Sequence, residues 1–409
     1  MNYIFIDTSE NVDKIGVVEN NHLVEFHIEE KDDEKLLGDI YRGRVVNVLK
    51  GMSSAFVDIG GEKNAYLYVK DALPKEFLYD KKHHPINEVV KAGEEVIVQV
   101  RKEAAGTKGA KVSTHIEIPG RYIVLTPYSN KLNISRKIRN KESRKKLKAT
   151  GKDMMKDGVG VIFRTVSENI DEDIIKEEYN ILLNIYRKIQ RERNFLPCPK
   201  LIYKEPDLGY QIIRDVYNEK IDKIIVNNKD SYKDLILMEE YFPFKFSHKI
   251  ELNKDFSVDF EVNIQKDIKK ALSREVYLKS GGYIVIDQLE ALTIIDVNTG
   301  GFIGTKSLGD TVFKTNIEAT KEIARQIRLR DLAGIIIIDF IDMRNRKHKK
   351  QLLHALKKEL AKARNRANIV GITKLGLVEL TRKKTRRTLG ANFYIQCPHC
   401  KGSGKIIMG

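Results

Sequence analysis

The stretch GGYIVIDQLEALTIIDVNTGGFIGTKSLGDTVFKTNIEATKEIARQIRLRDLAGIIIIDFID, residues 281–342, decides the fold. It holds three short apolar runs, at 283–287, 291–296 and 335–339, which are separated by glycine and polar residues as buried β-strands usually are. Between the second and third runs, apolar or small side chains repeat at helical spacing: Phe313, Ile317, Thr320, Ala324 and Ile327. The pattern therefore predicts a helix that joins two strands, with Asp310 at its N-cap.

All three predicted strands end in an aspartate, and the two that the predicted helix joins end in Asp296 and Asp339. If these strands are neighbours in one sheet, both carboxylates lie at the same edge. Two carboxylates, with the amide of Asn298 close by, are hard oxygen ligands of the kind that Mg²⁺ prefers. The alternative from the pattern alone is that both aspartates begin turns or cap helices, as aspartate often does.

Length and charge narrow the class of protein. A chain of 409 residues is expected to form roughly two to four domains with a sizeable core. The 73 lysines and arginines exceed the 57 aspartates and glutamates, which gives a formal net charge of +16. Such an excess favours a polyanionic partner, most commonly nucleic acid, although a solvated basic surface is the simpler alternative.

The sequence also bears on location. No apolar run approaches the ~18 residues of a membrane-spanning helix, and the start MNYIFID turns acidic without the basic residues of a signal peptide. Three cysteines are too few for a disulfide framework in a chain of this size. These features predict a protein of the reducing cytoplasm.

The first part of the chain is rich in short strands. Five alternating strands are predicted in the segment 38–116: 39–48, 54–60, 64–69, 95–101 and 110–116. Five such strands within about 80 residues are typical of a small closed barrel. The preceding residues 1–35 alternate apolar runs with turns, which predicts a small antiparallel meander that packs on a later part of the chain.

Two aromatic side chains, Phe56 and Tyr66, lie on adjacent strands of this predicted barrel among basic residues. They can stack nucleobases, or they can simply pack within the barrel. The segment resembles the S1 RNA-binding domain, an OB-fold module, in a set of spaced residues: Gly43, Gly51, Phe56-Val57-Asp58 and Gly60. That resemblance implies that Phe56 and Tyr66 present stacking faces and that Lys108, in the loop 106–109, contacts phosphate.

An arginine and a threonine end a later predicted strand. Strands at 122–127 and 158–165 flank a predicted basic helix within 137–148, and Arg164 and Thr165 end the second strand. A guanidinium fork beside a hydroxyl can hold one phosphate, although a surface salt bridge is the more ordinary interpretation. The segments that follow carry no chemical motif and are predicted as helices at 174–193 and 264–278 and a strand at 223–226.

The C-terminal part combines a basic helix with a cysteine pair. Residues 344–366 form a predicted basic amphipathic helix that suits RNA, a membrane surface or a partner groove. Cys397 and Cys400 are spaced as half of a tetrahedral zinc site, and the sequence has no second such pair. A redox pair is the alternative, but glycines follow where a helix would be expected. A second copy of the chain completes four ligands, which predicts zinc shared across a homodimer.

These motifs resemble the bacterial ribonuclease E/G family, and its ribonuclease G branch more closely. The resemblance spans nearly the whole chain and is carried by five stretches: 295–300 (IDVNTG), 315–319 (TNIEA), 323–330 (IARQIRLR), 337–343 (IIDFIDM) and 397–400 (CPHC). It implies an α/β multidomain fold with these parts: an RNase H-like subdomain at 1–35 and 212–272, an S1 RNA-binding domain at 36–118, a 5′-sensor region at 119–211, a DNase I-like catalytic subdomain at 273–395 and a zinc-link at 396–409. Family members continue into a small oligomerisation domain, whereas this sequence ends at Gly409, so the expected assembly is a zinc-linked dimer.

The resemblance also implies an activity. It is that of a Mg²⁺-dependent endoribonuclease that cleaves single-stranded, A/U-rich RNA, prefers a 5′-monophosphate end, and acts in rRNA and tRNA processing and mRNA decay. Asp296 and Asp339 would bind the metal, and Asn298 would hold the scissile phosphate or the attacking water. Arg164 and Thr165 would grip the 5′ phosphate. From the residues alone, a non-catalytic RNA-binding regulator is the alternative, and a metal-dependent phosphatase would leave the barrel unexplained.

Overall fold

The chain divides into two compact units. The computed structural model describes residues 1–31, 35–77, 84–104, 108–155, 158–192, 197–300, 308–384, 386–395, 397–400, 402 and 404. The first unit is Met1–Asp32, Val216–Tyr232 and Lys249–Gly409, and the second is Asp33–Asp215 and Lys233–His248. Among the described residues, no helix has both the length and the apolar character that a bilayer crossing requires.

The secondary structure is mixed α/β. Along the chain, the described strands are β1 Tyr3–Thr8, β2 Val12–Glu19, β3 His22–Glu30, β4 Ile40–Leu49, β5 Ser54–Asp58, β6 Ala65–Tyr68, β7 Glu95–Lys102, β8 Lys111–Ser113, β9 Ile118–Pro119, β10 Ile123–Thr126, β11 Leu132–Ile134, β12 Gly160–Phe163, β13 Lys200–Tyr203, β14 Lys223–Val226, β15 Ile250–Leu252, β16 Glu275–Tyr277, β17 Tyr283–Gln288, β18 Leu292–Asn298, β19 Gly334–Asp339, β20 Asn368–Ile372 and β21 Val378–Arg382. The described helices are α1 Ile86–Val89, α2 Lys141–Met154, α3 Glu172–Glu192, α4 Leu208–Val216, α5 Lys229–Met238, α6 Val262–Leu272, α7 Leu308–Leu329 and α8 Arg346–Leu360.

The N-terminal meander is part of a five-stranded sheet in the first unit. Its order is β15-β14-β1-β2-β3, and β1 pairs in parallel with β14, which comes more than 200 residues later in the chain. Phe5, Phe26 and Phe256 pack together in the core beside this sheet. The predictions of a meander over 1–35, of a strand at 223–226 and of packing on a later segment are confirmed.

The second sheet of the same unit contains the stretch that decides the fold. Its order is β16-β17-β18-β19-β21-β20, and the parallel strands β18 and β19 are joined through α7. Buried isoleucines of the strands, including Ile295 and Ile338, share one core with Leu352 and Leu356 of α8. The predicted strands and both predicted helices are therefore confirmed, and α7 and α8 cover one face of the sheet.

Two details of this region differ from prediction. The helix predicted over 264–278 ends at Leu272, and β16 follows as an edge strand, because Ser273 adopts an extended backbone and Val276 buries its side chain beneath the sheet. Asp310 lies in the first turn of α7, whose described residues begin at Leu308, rather than at its N-cap. An aspartate in the first turn still interacts favourably with the helix dipole.

The second unit contains the predicted barrel. Strands β4, β5, β6, β8 and β7 pair in that order, and β7 pairs again with β4, which closes a five-stranded barrel of the S1/OB-like kind. β13, which the sequence did not predict, pairs antiparallel with the first residues of β4, Ile40 to Arg42. The same unit holds a four-stranded sheet, β11-β12-β10-β9, packed against α3. The strands predicted at 122–127 and 158–165 and the helices at 137–148 and 174–193 are confirmed, with shifted ends.

Candidate active site

The two aspartates lie opposite each other at one edge of the second sheet. β18 and β19 are parallel neighbours, and their register pairs Asp296 with Asp339 at the carboxyl ends of both strands. The residues just before them, Ile295 and Ile338, are fully buried on the helix-covered face. Since side chains alternate along a strand, both aspartates are on the opposite, open face. The prediction that the strands bring their carboxylates to one edge is confirmed.

Asn298 completes this group, which we call the carboxylate edge: Asp296, Asn298 and Asp339. The Asn298 Nδ2 donates a hydrogen bond to Oδ2 of Asp296 at 2.9 Å. Burial raises the pKa of Asp339, and the charges of Asp296 and Asp342 raise it further. Like charges gathered in this way oppose ionisation, and a bound cation would relieve that repulsion.

Asp287 ends the first predicted strand but has a different environment. In register it faces Ile294 of β18, away from the carboxyl end of that strand. Its two carboxylate oxygens accept hydrogen bonds from Arg274 at 2.6 and 2.7 Å, and this pairing lowers the pKa of Asp287. Asp287 is thus the partner of an arginine rather than a member of the carboxylate edge.

Two residues that the sequence pattern did not single out support the edge. Asn316 of α7 is fully buried, and its side chain donates to the carbonyl of Ile341 at 2.8 Å and accepts from the Ile341 N–H at 3.1 Å. Gly282 approaches β18 so closely that a Cβ there would lie 2.8 Å from the Asn298 carbonyl oxygen. Asn316 lies in the stretch 315–319, which carries part of the family resemblance, but that stretch did not reveal its partner, and the sequence held no signal for Gly282.

In the barrel, Phe56 and Tyr66 are directly paired across β5 and β6. Their ring centroids are 6.1 Å apart at 70°, and both rings are half-buried outside the core formed by residues such as Ala55. Lys108 is exposed near β6, whose Tyr66 N–H bonds the carbonyl of Ala110 at 2.7 Å. Gly106 and Thr107 of the same loop lie outside the described residues.

Arg164 and Thr165 follow β12 and are held by neighbouring groups. The Arg164 Nη1 donates to Asp215 at 2.8 Å and to the Gly120 carbonyl at 2.5 Å. Within the described part of the chain, its Nε and Nη2 have no hydrogen-bond partner. The Thr165 hydroxyl lies 2.9 Å from that of Ser135. The arginine therefore makes the salt bridge of the simpler interpretation and still has donors for another ligand.

The sequence of this chain matches that of a known protein family. The sequence model described as "Ribonuclease E/G family" matches residues 117–385, a range that includes Arg164 and the whole carboxylate edge. The chain belongs to the ribonuclease E/G family. The match leaves out the closed barrel and the cysteine pair, so the assignment rests on the sheet and the region before it.

Named relatives extend the likeness to nearly the whole chain. Ribonuclease G of Haemophilus influenzae is 39% identical over 410 residues, covering 98% of this chain and 84% of that protein. Ribonuclease G of Escherichia coli is 37% identical over 414 residues, with the same coverage. Ribonuclease E of Nostoc is 38% identical over 379 residues, 91% of this chain and 54% of that protein. The ribonuclease E/G chain is thus an endoribonuclease, which argues against the alternative of a non-catalytic regulator.

The cysteine pair of this ribonuclease E/G chain lies near its C-terminal end. Cys397 is exposed, Cys400 is half-buried, and both are free thiols, as is Cys198. Hydrogen bonds from the backbone of Gly404 and Gly402 lower the pKa of Cys400, which favours the thiolate that binds metal. No group of three His, Cys, Asp or Glu side chains in the described ranges is arranged to hold a metal ion.

Proposed function

We propose that the carboxylate edge is the Mg²⁺ centre of an endoribonuclease that cleaves single-stranded, A/U-rich RNA and prefers 5′-monophosphate ends. The observation that carries this proposal is the parallel register that sets Asp296 directly opposite Asp339. The roles we infer are rRNA and tRNA processing and mRNA decay. The fold parts that go with this function are an RNase H-like meander sheet, an S1 barrel, a 5′-sensor region and a DNase I-like catalytic sheet.

The chemistry of the donors fits Mg²⁺. This ion typically keeps several waters and is bound by one or two carboxylates together with substrate phosphates, rather than by a cage of protein ligands. Two facing aspartates match that preference, and no group of three or more possible ligands in the described part of the chain is arranged as a metal cage. When bound, the metal would act as a Lewis acid on the phosphate and lower the pKa of the attacking water.

Each residue of the edge has a distinct task in this proposal. Asp296 and Asp339 supply the negative charge that holds the cation. Asn298 donates to Asp296 through Nδ2, so it fixes that carboxylate and presents its own amide toward the scissile phosphate or the water. Positioning of this kind lowers the barrier because the reacting groups need not be ordered at the moment of reaction. The basic chain attracts the RNA to this edge.

Recognition of the RNA end is assigned to Arg164 and Thr165. The Arg164 Nη1 is held by Asp215, and Nε and Nη2 would grip a terminal 5′ phosphate as a fork while the Thr165 hydroxyl adds one donor. A 5′-triphosphate carries more charge and bulk than one fork accommodates. In the barrel, the paired rings of Phe56 and Tyr66 would stack bases, and Lys108 would contact phosphate.

We further infer that the Cys397 and Cys400 thiolates of two copies hold one structural Zn²⁺. The spacing supplies two ligands per chain, and zinc prefers four in a tetrahedron. Native mass spectrometry would then show a dimer with one zinc, which Cys397→Ser abolishes and Cys198→Ser leaves intact. A zinc-free monomer of the unaltered protein at micromolar concentration would contradict the shared site.

The activity test compares three substitutions on one sheet. Asp296→Asn and Asp339→Asn are expected to lower cleavage of a short A/U-rich RNA with a 5′-monophosphate by more than about 100-fold, the order found for loss of one charge-stabilising group. Asp287→Asn removes an acid of the same sheet that is paired with Arg274, so it serves as the control. EDTA should stop cleavage, and a 5′-triphosphate should slow it. Equal cleavage by the edge variants and the control would refute the metal centre.

A further inference from the structure

A row of aromatic side chains continues from the carboxylate edge across the sheet. Tyr283 of β17 pairs in register with Asn298, and Tyr277 of β16 pairs with Tyr283. Directly opposed residues of antiparallel strands are on the same face of a sheet. Tyr277, Tyr283 and Asn298 therefore form one cross-strand row on the open face.

The two tyrosines are not part of the core. Their ring centroids are 5.8 Å apart at 45°, and Tyr277 is 62% exposed while Tyr283 is half-buried. The buried side chains of these strands, Val276 and Ile284, are on the helix-covered face. The rings thus present an accessible aromatic surface without contributing to the packing beneath the sheet.

The row is within reach of a phosphate held at the edge. Neighbouring strands are about 4.8 Å apart and residues rise about 3.3 Å along a strand, so the Tyr283 Cα lies roughly 8 Å from that of Asp296. Between them, Asn298 already bonds Asp296. A nucleoside attached to the scissile phosphate can span this separation, because its sugar and base extend several ångströms from the phosphorus.

We propose that Tyr277 and Tyr283 form a stacking platform for one nucleobase beside the scissile phosphate. The proposal rests on the function above in one respect, since it takes the carboxylate edge as the place where the phosphate binds. Every nucleobase has a π-face, so a platform of this kind holds RNA in position and tolerates any base. It excludes a paired base, whose faces are covered by its neighbours in a duplex, and so favours single-stranded RNA.

The test pairs protein variants with abasic RNA. In a single-stranded 5′-monophosphate RNA, one abasic nucleotide is moved through the positions around the cleavage site, and kcat/KM is measured for each. For the unaltered protein, an abasic nucleotide at one position should lower kcat/KM by roughly 5- to 160-fold, the range for loss of one base–aromatic stack. On intact RNA, the double variant Tyr277→Ala/Tyr283→Ala should have a kcat/KM lower by a similar factor. An abasic nucleotide at that position should then lower the kcat/KM of this variant no further.

Two further proteins separate stacking from other effects. Tyr277→Phe/Tyr283→Phe keeps both rings and should cleave like the unaltered protein, and Phe260→Ala removes an 85% exposed ring elsewhere in the same unit and should change nothing. If Tyr277→Ala/Tyr283→Ala melts at or below the assay temperature, Tyr277→Leu/Tyr283→Leu replaces it, because leucine keeps bulk on the strand without an aromatic face.

The outcomes are distinct. If the alanine or leucine variant retains the full abasic penalty at every position, the platform is absent and the tyrosines only stabilise the sheet. If the abasic coupling is found but Asp296→Asn and Asp339→Asn cleave normally, the metal centre is wrong while the platform stands. Coupling together with inactive edge variants supports both.

Discussion

Replacement of Asn316 by leucine is the most direct test of how α7 supports the carboxylate edge. The asparagine is fully buried and uses its side chain as both donor and acceptor toward the backbone of Ile341, between Asp339 and Asp342. Leucine has nearly the same shape but neither capability. Asn316→Leu therefore leaves the Ile341 N–H and C=O without their partners while disturbing the packing little.

The magnitude follows from those two groups. A buried polar group left without a partner costs about 1–3 kcal/mol, so two of them cost about 2–6 kcal/mol if the backbone stays in place. If the segment around Ile341 moves instead so that its N–H and C=O reach water, part of the lost free energy of unfolding is recovered. Asp296 and Asp339 then move apart. We therefore expect a stability loss of about 3 kcal/mol, or a smaller one accompanied by a large fall in activity.

Urea denaturation and cleavage of a 5′-monophosphate RNA, measured on the same protein, distinguish these outcomes. The matched control is Thr320→Val, which is equally buried on the same helix but whose hydroxyl bonds only the Ile317 carbonyl at 2.7 Å, within α7. It should cost no more than about 1 kcal/mol and leave kcat unchanged. If Asn316→Leu matched the control in both stability and activity, the hydrogen bonds between Asn316 and the Ile341 backbone would have no role in placing the carboxylate edge.

Three further outcomes are expected from single substitutions. Gly282→Ala should lower kcat, measured as the cleavage rate, because its Cβ would lie 2.8 Å from the Asn298 carbonyl oxygen and displace the end of β18. Gly309→Ala, whose Cβ would meet no atom of the described residues within 4 Å, should leave the cleavage rate unchanged. Burial raises the pKa of Glu205 to about 7, above its ordinary 4.5. The stability linked to this shift is complete below pH 4.5 and lost as the pH rises through 7, so Glu205→Gln should raise the melting temperature more at pH 8 than at pH 5. If Glu205→Gln changed the melting temperature by the same amount at pH 5 and pH 8, Glu205 would not titrate in that window.

The sheet that carries the carboxylate edge could be predicted because its signals are local. Apolar runs at 283–287, 291–296 and 335–339 have the length and composition of strands, and the helical spacing between the last two implies that they are parallel neighbours. The closed barrel could be predicted for the same reason, from five short alternating runs. In both cases the periodicity of the side chains fixes the element, and the connection fixes the partner.

What could not be predicted depends on contacts between distant residues. β16 follows a helix after two residues, and its three residues are too short to show a period. The ion pair of Arg164 joins residues 51 positions apart, and Asn316 bonds a backbone group whose identity no side-chain pattern reveals. The row from Tyr277 to Asn298 needs the register of three strands, which a one-residue shift would place on the opposite face.

Burial, together with the charges of Asp296 and Asp342, raises the pKa of Asp339, so the ionised carboxylate edge is not stabilised by its own acids. Contacts elsewhere in the first unit have to hold it in place. Two side chains of α7, Asn316 and Arg328, make such contacts. In its first half Asn316 holds the Ile341 backbone, and near its end Arg328 pairs with Glu25 at 2.6 Å and Glu19 at 2.7 Å of the meander sheet. The helix that joins β18 and β19 is thus fastened to a second sheet. The contacts of Asn316 and Arg328 therefore hold α7 at two places while the acids at the ends of β18 and β19 repel one another.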